Sequence, residues 1–206
     1  MKLSIKELRN LIVEEIKKEN HISKVPDDLF TIEDFEEMVK KDPKGVQDRN
    51  KTKYWKKNRL SYHLTVRDMV EKMNNVNKVL EIGSNGFPIV KSCLKMGLQR
   101  SVDDIVHNAG DIPWPFKDNE FDLAVGLQIW EHLDGTQAEA FKELMRVTKS
   151  AILSFPYLWD GVPSDNLHYM IDKDTIDEWT CHQEPVEKKI DECNKGFKRL
   201  IYQWKF

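Results

Sequence analysis

Cysteine is scarce in this chain, and long apolar runs are missing from it. The 206 residues include three cysteines, Cys93, Cys181 and Cys193. Their odd number and wide spacing fit neither a disulfide framework nor a paired-cysteine metal knuckle, which favours a reducing compartment. No apolar run approaches the ~20 residues that a membrane-spanning helix needs. We therefore expect no membrane-spanning segment.

A secretion signal and a strong net charge are also missing. Charged residues interrupt every apolar cluster of residues 1–20, so the N-terminus lacks the apolar core of a signal peptide. We therefore expect a cytoplasmic protein. The formal net charge is only -3, so no global positive field attracts nucleic acid or an acidic membrane surface.

The composition is that of one ordinary folded domain with an N-terminal addition. Hydrophobic residues make up 40% and charged residues 33% of the chain, which suffices for a core without disulfide or metal staples. Helical periodicity marks residues 3–19, 31–41 and 60–73, and Thr31 is suited to cap the second of these helices. We expect a helical extension or lid over residues 1–75.

From residue 78 onward, short apolar runs alternate with helical patterns. The runs "KVLEI", "RSVD", "FDLAVGL", "SAILSFP" and "RLIYQWKF" predict strands. The stretches "PIVKSCLKMG", "QAEAFKELMRVT" and "TIDEWTCH" predict helices, the last of them starting at Asp174 or Thr175. This alternation predicts an α/β domain over residues 76–206, with a Rossmann-like, doubly wound and mainly parallel sheet.

A glycine turn, "EIGSNG", follows the first predicted strand. Gly83 and Gly86 permit a tight turn and a close backbone approach to a ligand at the C-terminal ends of the strands. By itself this turn is also typical of an ordinary strand-to-helix connection. About twenty residues further on, Asp103 can bind both hydroxyls of a ribose, with Asp104 as its competitor. Asp111 and Ile112 follow in a loop suited to flank an adenine ring.

These motifs, taken in order, resemble those of class I S-adenosylmethionine-dependent methyltransferases. The resemblance covers residues 78–156 and rests on "EIGSNG", "PFKDNEFD", "EHL", "KELMRVTK" and "AILSFP". The stretch "VDDIVHNAGDIPWPF" is similar to the shortened middle of some methyltransferases from glycan-modification loci. The resemblance implies that S-adenosylmethionine is the cofactor.

The resemblance also implies a role for each matched position. The residues along the methionine part of the cofactor would be Glu81, Gly83 and Ser84, in the turn that Gly86 completes. Asp103 would bind the ribose, Asp111 and Ile112 would hold the adenine, and Gln128 would lie near the sulfonium. The second glycine of the family's turn is Asn85 here, which leaves open a module that has the fold without the activity.

The catalytic candidates come from the loops after the fourth and fifth predicted strands. A sulfonium methyl is already electrophilic, so an oxygen acceptor mainly needs a general base. His168 with Asp165 is the first candidate for that base, and His132 is the second. For Glu131 and His132 we favour instead a role in capping and positioning the next helix.

A metal site and an aromatic platform are weaker interpretations of the same loops. The side chains of Asp160, Asp165, Asn166 and His168 could hold a divalent cation, but spacing alone does not define a site, and we predict no metal. Tyr157 and Trp159 suit a platform for a sugar or another ring.

The sequence favours methylation of an oxygen, on a sugar or another small-molecule hydroxyl. A non-catalytic S-adenosylmethionine-binding module is the first alternative. A nucleic-acid or protein methyltransferase is the second, motivated by the basic run at residues 40–59, which would also suit a phosphate-bearing small molecule. A nicotinamide oxidoreductase is disfavoured because the full glycine fingerprint GxGxxG is absent.

Overall fold

A single mixed sheet forms the centre of the protein. The computed structural model describes residues 28–41, 59–83, 88–97, 105–164, 167–192 and 197–206. Within these residues seven strands form one sheet in the order β3-β2-β1-β4-β5-β7-β6. Their bounds are β1 Val79–Ile82, β2 Leu94–Gly97, β3 Ile105–Asn108, β4 Leu123–Leu127, β5 Ser150–Tyr157, β6 Glu187–Asp191 and β7 Lys198–Lys205.

The strand directions confirm the predicted doubly wound architecture. Neighbouring strands from β3 to β5 pair in parallel, and the chain order reverses between β1 and β4. β7 pairs antiparallel with both β5 and β6. The predicted strands "KVLEI", "FDLAVGL", "SAILSFP" and "RLIYQWKF" correspond to β1, β4, β5 and β7, whereas β3 and β6 were not predicted.

Helices lie on both faces of the sheet. They are α1 Ile32–Lys41, α2 Leu60–Glu71, α3 Gln137–Val147 and α4 Lys173–Trp179, with a 3₁₀ turn at Trp130–His132. Apolar residues of α3 and α4 belong to one buried cluster with alternate residues of the strands. Apolar residues of α2 belong to a second cluster with the remaining strand residues. β4 is buried on both faces and therefore reads as a continuous apolar run.

The predicted helix caps were partly correct. Thr31 and Asp34 cap α1 reciprocally, because each backbone N–H donates to the other side chain, at 2.9 and 3.1 Å. α4 begins after Asp172, whose side chain accepts from the backbone N–H of Thr175, so the predicted start at Asp174 or Thr175 was two or three residues late.

The segment between β1 and β3 differs from the prediction. Residues 88–97 were expected to form a helix, but Val90 forms an antiparallel bridge with Leu29, and Leu94–Gly97 is strand β2. The predicted strand "RSVD" lies outside the described residues, as do the predicted helix at 3–19 and most of the basic run. The division of the chain at residue 75 stays a prediction. In the described part of the chain, no helix is long and apolar enough to cross a membrane.

Candidate active site

The predicted cofactor-binding residues that the structure describes lie at one edge of the sheet. Glu81 and Gly83 come at the end of β1, Asp111 and Ile112 follow β3, and Gln128 follows β4. The carboxyl ends of parallel strands meet at this edge, and ligands of such sheets bind where the strand order reverses. Ser84, Gly86, Asp103 and Asp165 lie outside the described residues, so their roles stay predictions.

Only glycine fits the backbone at position 83. Its φ is +73°, in the left-handed region, and its N–H donates to the carbonyl of Met96 at 2.7 Å. A Cβ atom placed there would collide with the side chain of Ile129, which follows β4. The turn after β1 therefore lies directly against the segment that carries Gln128 and the 3₁₀ turn.

Glu81 is a buried carboxylate with an incomplete set of partners. Its side chain is about 1% exposed, and no described residue donates a hydrogen bond to its Oε2. Burial raises the pKa of Glu81 well above its usual value, against the opposing effects of the Ile89 N–H and the Lys95 charge. A cationic ligand group would supply the missing partner.

Gln128 joins the ends of two neighbouring strands. Its φ is +54°, and its backbone N–H donates to the carbonyl of Ser154 at 3.2 Å and to the Oγ of that serine at 3.1 Å. Its side-chain amide donates to the same Oγ at 3.4 Å. The end of β4 is thus fixed to β5, which holds the strained residue at the ligand edge.

The loop after β3 is fixed from both sides. The Asp111 N–H donates to the carbonyl of Asn108 at 3.0 Å, and the Asp111 carbonyl accepts from Nε2 of His107 at 2.6 Å. Ile112 is 38% exposed, although it is a large apolar residue in a well-anchored loop. An exposed apolar side chain at this edge is suited to lie against a planar ring.

These features fit S-adenosylmethionine. The Glu81 carboxylate would meet the positive charge of its methionine part, the turn at Gly83 would let the backbone approach it closely, and Ile112 would offer an apolar contact to its adenine. The structure describes three of the four segments that the fit needs. The ribose contact predicted for Asp103 is not among them.

A second group of polar side chains lies on the same edge, beyond β4 and β5. Glu131, His132 and His168 place one ligand atom each within 4.8 Å of one another, and we call them the Glu–His–His cluster. Oε1 of Glu131 is 3.5 Å from Nε2 of His168 and 3.9 Å from Nε2 of His132. The two imidazole rings meet edge to face at 5.0 Å between their centroids.

Two anchors hold this cluster in place. Trp130 is fully buried in the core, and its indole N–H donates to the carbonyl of Gln137 at 3.2 Å, which fixes the 3₁₀ turn that carries Glu131 and His132. The N–H of Met170 donates to the carbonyl of Trp159 at 3.0 Å and closes the loop that carries His168. The rings of Trp159 and His168 stack with 5.4 Å between their centroids and 14° between their planes.

Burial controls the protonation of the cluster. It raises the pKa of Glu131 to about 8, against smaller lowering effects of the residue's own backbone N–H and of the Arg199 and Arg59 charges. Apart from that N–H, no described residue is placed to donate a hydrogen bond to either carboxylate oxygen. Burial also lowers the pKa of His132, and it lowers that of His168 to about 4, with smaller contributions from His132 and from Arg199. Both imidazoles are therefore neutral near pH 7.

Two interpretations of these loops were wrong. Glu131 and His132 do not cap α3, because its N-cap residue is Thr136. Trp159 does not offer an open platform, because the residue is about 7% exposed and its ring contacts His168, Phe197 and the Arg199 guanidinium. The contact between Glu131 and His168 was missed, since sequence spacing carries no signal for it.

A cavity of about 540 Å³ lies on the opposite edge of the sheet. Residues from the ends of α2 and β7 and from the beginnings of β5 and β6 line it, among them Lys72, Asp122, Lys149 and Lys205. It is far from the carboxyl ends of the parallel strands, so we do not assign it to the cofactor.

Comparison with protein families finds a match for the central part of the chain. Residues 51–151 match a family described as a methyltransferase domain. This match includes the turn after β1, the loop after β3 and the 3₁₀ turn. No curated protein matches the chain.

Solved structures share the fold at low identity. One is an S-adenosylmethionine-dependent methyltransferase from Thermotoga maritima, described as a possible histamine N-methyltransferase, with a TM-score of 0.51 and 14% identity over 75% of this chain and 94% of that one. A second is the [4+2]-cyclase SpnF, with a TM-score of 0.53 and 10% identity over 68% and 80%. The third is the methyltransferase domain of bacterial CtHen1, with a TM-score of 0.50 and 13% identity over 71% and 98%.

Proposed function

We propose that this chain is a class I S-adenosylmethionine-dependent methyltransferase and that it methylates a hydroxyl oxygen of a sugar or another small molecule. The match to a methyltransferase domain and the shared fold support the first part. The observation that supports an oxygen acceptor is the Glu–His–His cluster. It brings two imidazoles with lowered pKa values next to a buried carboxylate, on the edge of the sheet where the cofactor-binding residues lie.

The cofactor would be held by residues from four segments. Glu81 and Gly83, with Ser84 and Gly86 of the same turn, would bind its methionine part, and Gln128 would lie near the sulfonium. Asp103 would bind the ribose, and Asp111 and Ile112 would bind the adenine. Support comes from the missing partner of Glu81, from the collision that any Cβ at position 83 would cause, and from the exposure of Ile112.

The cofactor supplies a methyl group on a sulfonium sulfur, which is electrophilic without further activation. The protein must therefore orient the acceptor and take up its proton. His168 is our first candidate for the base, with Asp165 as its proposed partner, and His132 is the second. Because Nε2 of His168 lies 3.5 Å from Oε1 of Glu131, Glu131 would, once it is ionised, stabilise the imidazolium that forms, and its pKa of about 8 makes this contribution grow as the pH rises.

A small neutral or weakly charged acceptor is consistent with the net charge of -3. The basic run at residues 40–59 would suit a phosphate group on that acceptor, and we propose no nucleic-acid partner. We propose a cytoplasmic location.

Calorimetry with S-adenosylmethionine and S-adenosylhomocysteine tests the cofactor half of the proposal. We expect the wild type to bind both ligands and an Asp103→Ala variant to lose most of the affinity, because a ribose would lose two hydrogen bonds. If the wild type binds neither ligand, the proposal is wrong.

Turnover with a panel of hydroxylated acceptors, sugars and sugar phosphates included, tests the acceptor half. Formation of S-adenosylhomocysteine is the measured quantity. We expect His168→Gln to reduce turnover by about 10²–10⁴-fold while cofactor affinity is unchanged. Cofactor binding without turnover on any acceptor would favour the non-catalytic module.

A further inference from the structure

We propose that the Glu–His–His cluster is a binding site for a divalent transition-metal ion. The ligands would be Oε1 of Glu131, Nε2 of His132 and Nε2 of His168. Two imidazoles and one carboxylate suit Zn²⁺, Mn²⁺, Fe²⁺ and Co²⁺, whereas Mg²⁺ and Ca²⁺ prefer oxygen ligands alone. Three protein ligands leave coordination positions open for a substrate or water.

The distances within the cluster are close to those of a metal site. Two ligands of a tetrahedral zinc ion lie about 3.4 Å apart, given zinc–ligand bonds of about 2.1 Å. Oε1 of Glu131 is 3.5 Å from Nε2 of His168 and 3.9 Å from Nε2 of His132. The ligand atoms of the two histidines lie within 4.8 Å of each other, so side-chain rotations that bring them up to about 1.4 Å closer would place all three atoms around one ion.

The condition of Glu131 is an independent argument for a cation. Its side chain is fully buried, and apart from its own backbone N–H no described residue is placed to donate a hydrogen bond to either carboxylate oxygen. Burial of a carboxylate without hydrogen bonds is unfavourable, so such groups are usually paired or coordinate a metal. A divalent ion between Glu131 and the two histidines would satisfy one carboxylate oxygen directly.

Two arginines act against a very tight site. Arg59 and Arg199 lower the pKa of Glu131 through their charges, so both lie within electrostatic range of the cluster. Their positive charges would also repel a divalent ion bound at the cluster. We therefore expect micromolar rather than nanomolar affinity.

The role of the ion depends on the function proposed above. An acceptor hydroxyl in an open coordination position would have a lowered pKa and would release its proton to solvent. An Nε2 atom that ligates a metal cannot also accept a proton. The metal-loaded protein would therefore use His132 and His168 as ligands, and the ion would take over the function of the base.

Titration of the full chain with Co²⁺ tests the site. The protein is first treated with a chelator and dialysed, and binding is followed by calorimetry and by the visible absorption of the bound ion. We expect one ion per chain. Each of Glu131→Gln, His132→Gln and His168→Gln should weaken binding by at least about tenfold.

His182→Asn is the matched control. His182 is exposed and distant from the cluster, and Asn tolerates its φ of +56°. We expect this variant to bind Co²⁺ like the wild type, and all variants to keep the wild-type circular dichroism. The proposal is overturned if the wild type binds no stoichiometric ion, if Glu131→Gln binds it equally well, or if His182→Asn weakens binding as much as the cluster variants do.

Calorimetry with S-adenosylhomocysteine on the same samples separates this inference from the proposed function. If Co²⁺ binds at the cluster and the cofactor product does not bind, the metal site stands and the methyltransferase proposal fails. If the cofactor product binds and Co²⁺ does not, the metal site is wrong, and His168 remains the candidate base.

Discussion

Two buried glutamates distinguish the ligand edge at the scale of single residues. Glu81 and Glu131 are each about 1–2% exposed, and both have raised pKa values because of burial. Each has at least one carboxylate oxygen without a hydrogen bond from the described residues. Proteins rarely keep such groups for stability, so a cluster of them at one edge points to ligands that complete them.

Gly83→Ala is predicted to weaken cofactor binding and to destabilise the fold. Alanine at a φ of +73° costs about 1–2 kcal/mol, and its Cβ would also displace the Ile129 side chain. We expect a lower melting temperature and at least about tenfold weaker binding of S-adenosylhomocysteine, measured by calorimetry.

Gly135→Ala separates backbone strain from collision. Gly135 has a φ of +85°, but a Cβ there would meet no atom within 4 Å. We expect a smaller loss of stability than in Gly83→Ala, limited to the backbone strain of about 1–2 kcal/mol, with unchanged cofactor affinity. Equal loss of affinity in both variants would contradict the close approach that we assign to Gly83.

Glu81→Gln is predicted to change how stability depends on pH. Burial raises the pKa of Glu81 above its usual value of 4.5, so the folded protein keeps a proton that the unfolded chain loses as the pH rises. Its contribution to stability is therefore fully present below 4.5 and declines above it. Relative to Glu81→Gln, the melting temperature of the wild type should therefore fall as the pH rises from about 5 towards the raised pKa of Glu81.

Thermal denaturation across this pH range, without cofactor, measures the difference. Lys95 and Cys93, which lie near Glu81, are the same in both proteins. Their effects on stability therefore largely cancel in the comparison. Glu139→Gln, at an exposed position of α3, controls for the loss of one negative charge. Parallel curves for the wild type and Glu81→Gln would show that Glu81 does not titrate as we infer.

At the scale of elements, the strands with continuous apolar runs could be predicted, and the segment between β1 and β3 could not. β4 and β5 read as strands because both of their faces are buried. Residues 88–97 have a helical pattern, but Leu94–Gly97 pairs with β1 and Val90 pairs with Leu29. Tertiary pairing here overrides local propensity, which the sequence of the segment alone does not reveal.

Arg146 joins α3 to the loop after β3, and its replacement tests that connection. Its guanidinium donates to the carbonyls of Trp114 and Phe116 at 3.0 and 2.7 Å and to the carboxylates of Glu143 and Asp118 at 2.6–3.0 Å. Arg146→Lys keeps the positive charge, but an ammonium group cannot make the several hydrogen bonds that the planar guanidinium makes. We expect a loss of about 1–3 kcal/mol in the free energy of unfolding, measured with urea.

Cofactor affinity should also fall in Arg146→Lys, because the same loop carries Asp111 and Ile112. Lys142→Ala, on an exposed position of α3, is the control and should leave stability within about 0.5 kcal/mol of the wild type. A variant with weakened stability and unchanged affinity would contradict the adenine contacts proposed for this loop.

At the scale of the whole molecule, the site is assembled from segments that are distant in the chain. The sequence could predict which residues follow each strand, because parallel strands bring their carboxyl ends together. It could not predict that the loop after β5 folds back and places His168 beside Glu131. That contact depends on the hydrogen bond from the Met170 N–H to the Trp159 carbonyl and on the stacking of His168 on Trp159. The residue types were therefore predictable, and their arrangement was not.

Ligand binding at this edge should stabilise the entire sheet, because it joins the ends of β1, β3 and β4. S-adenosylhomocysteine at 100 times its dissociation constant would add about 2.7 kcal/mol to the free energy of unfolding. For a domain of this size that corresponds to a rise of about 5–10 °C in melting temperature. At the same ligand concentration, Asp103→Ala with tenfold weaker binding should show about half of the rise, and NAD should cause none. A similar rise with NAD would mean that the edge recognises a nucleotide in general, and the S-adenosyl specificity proposed for Glu81 and Asp111 would be wrong.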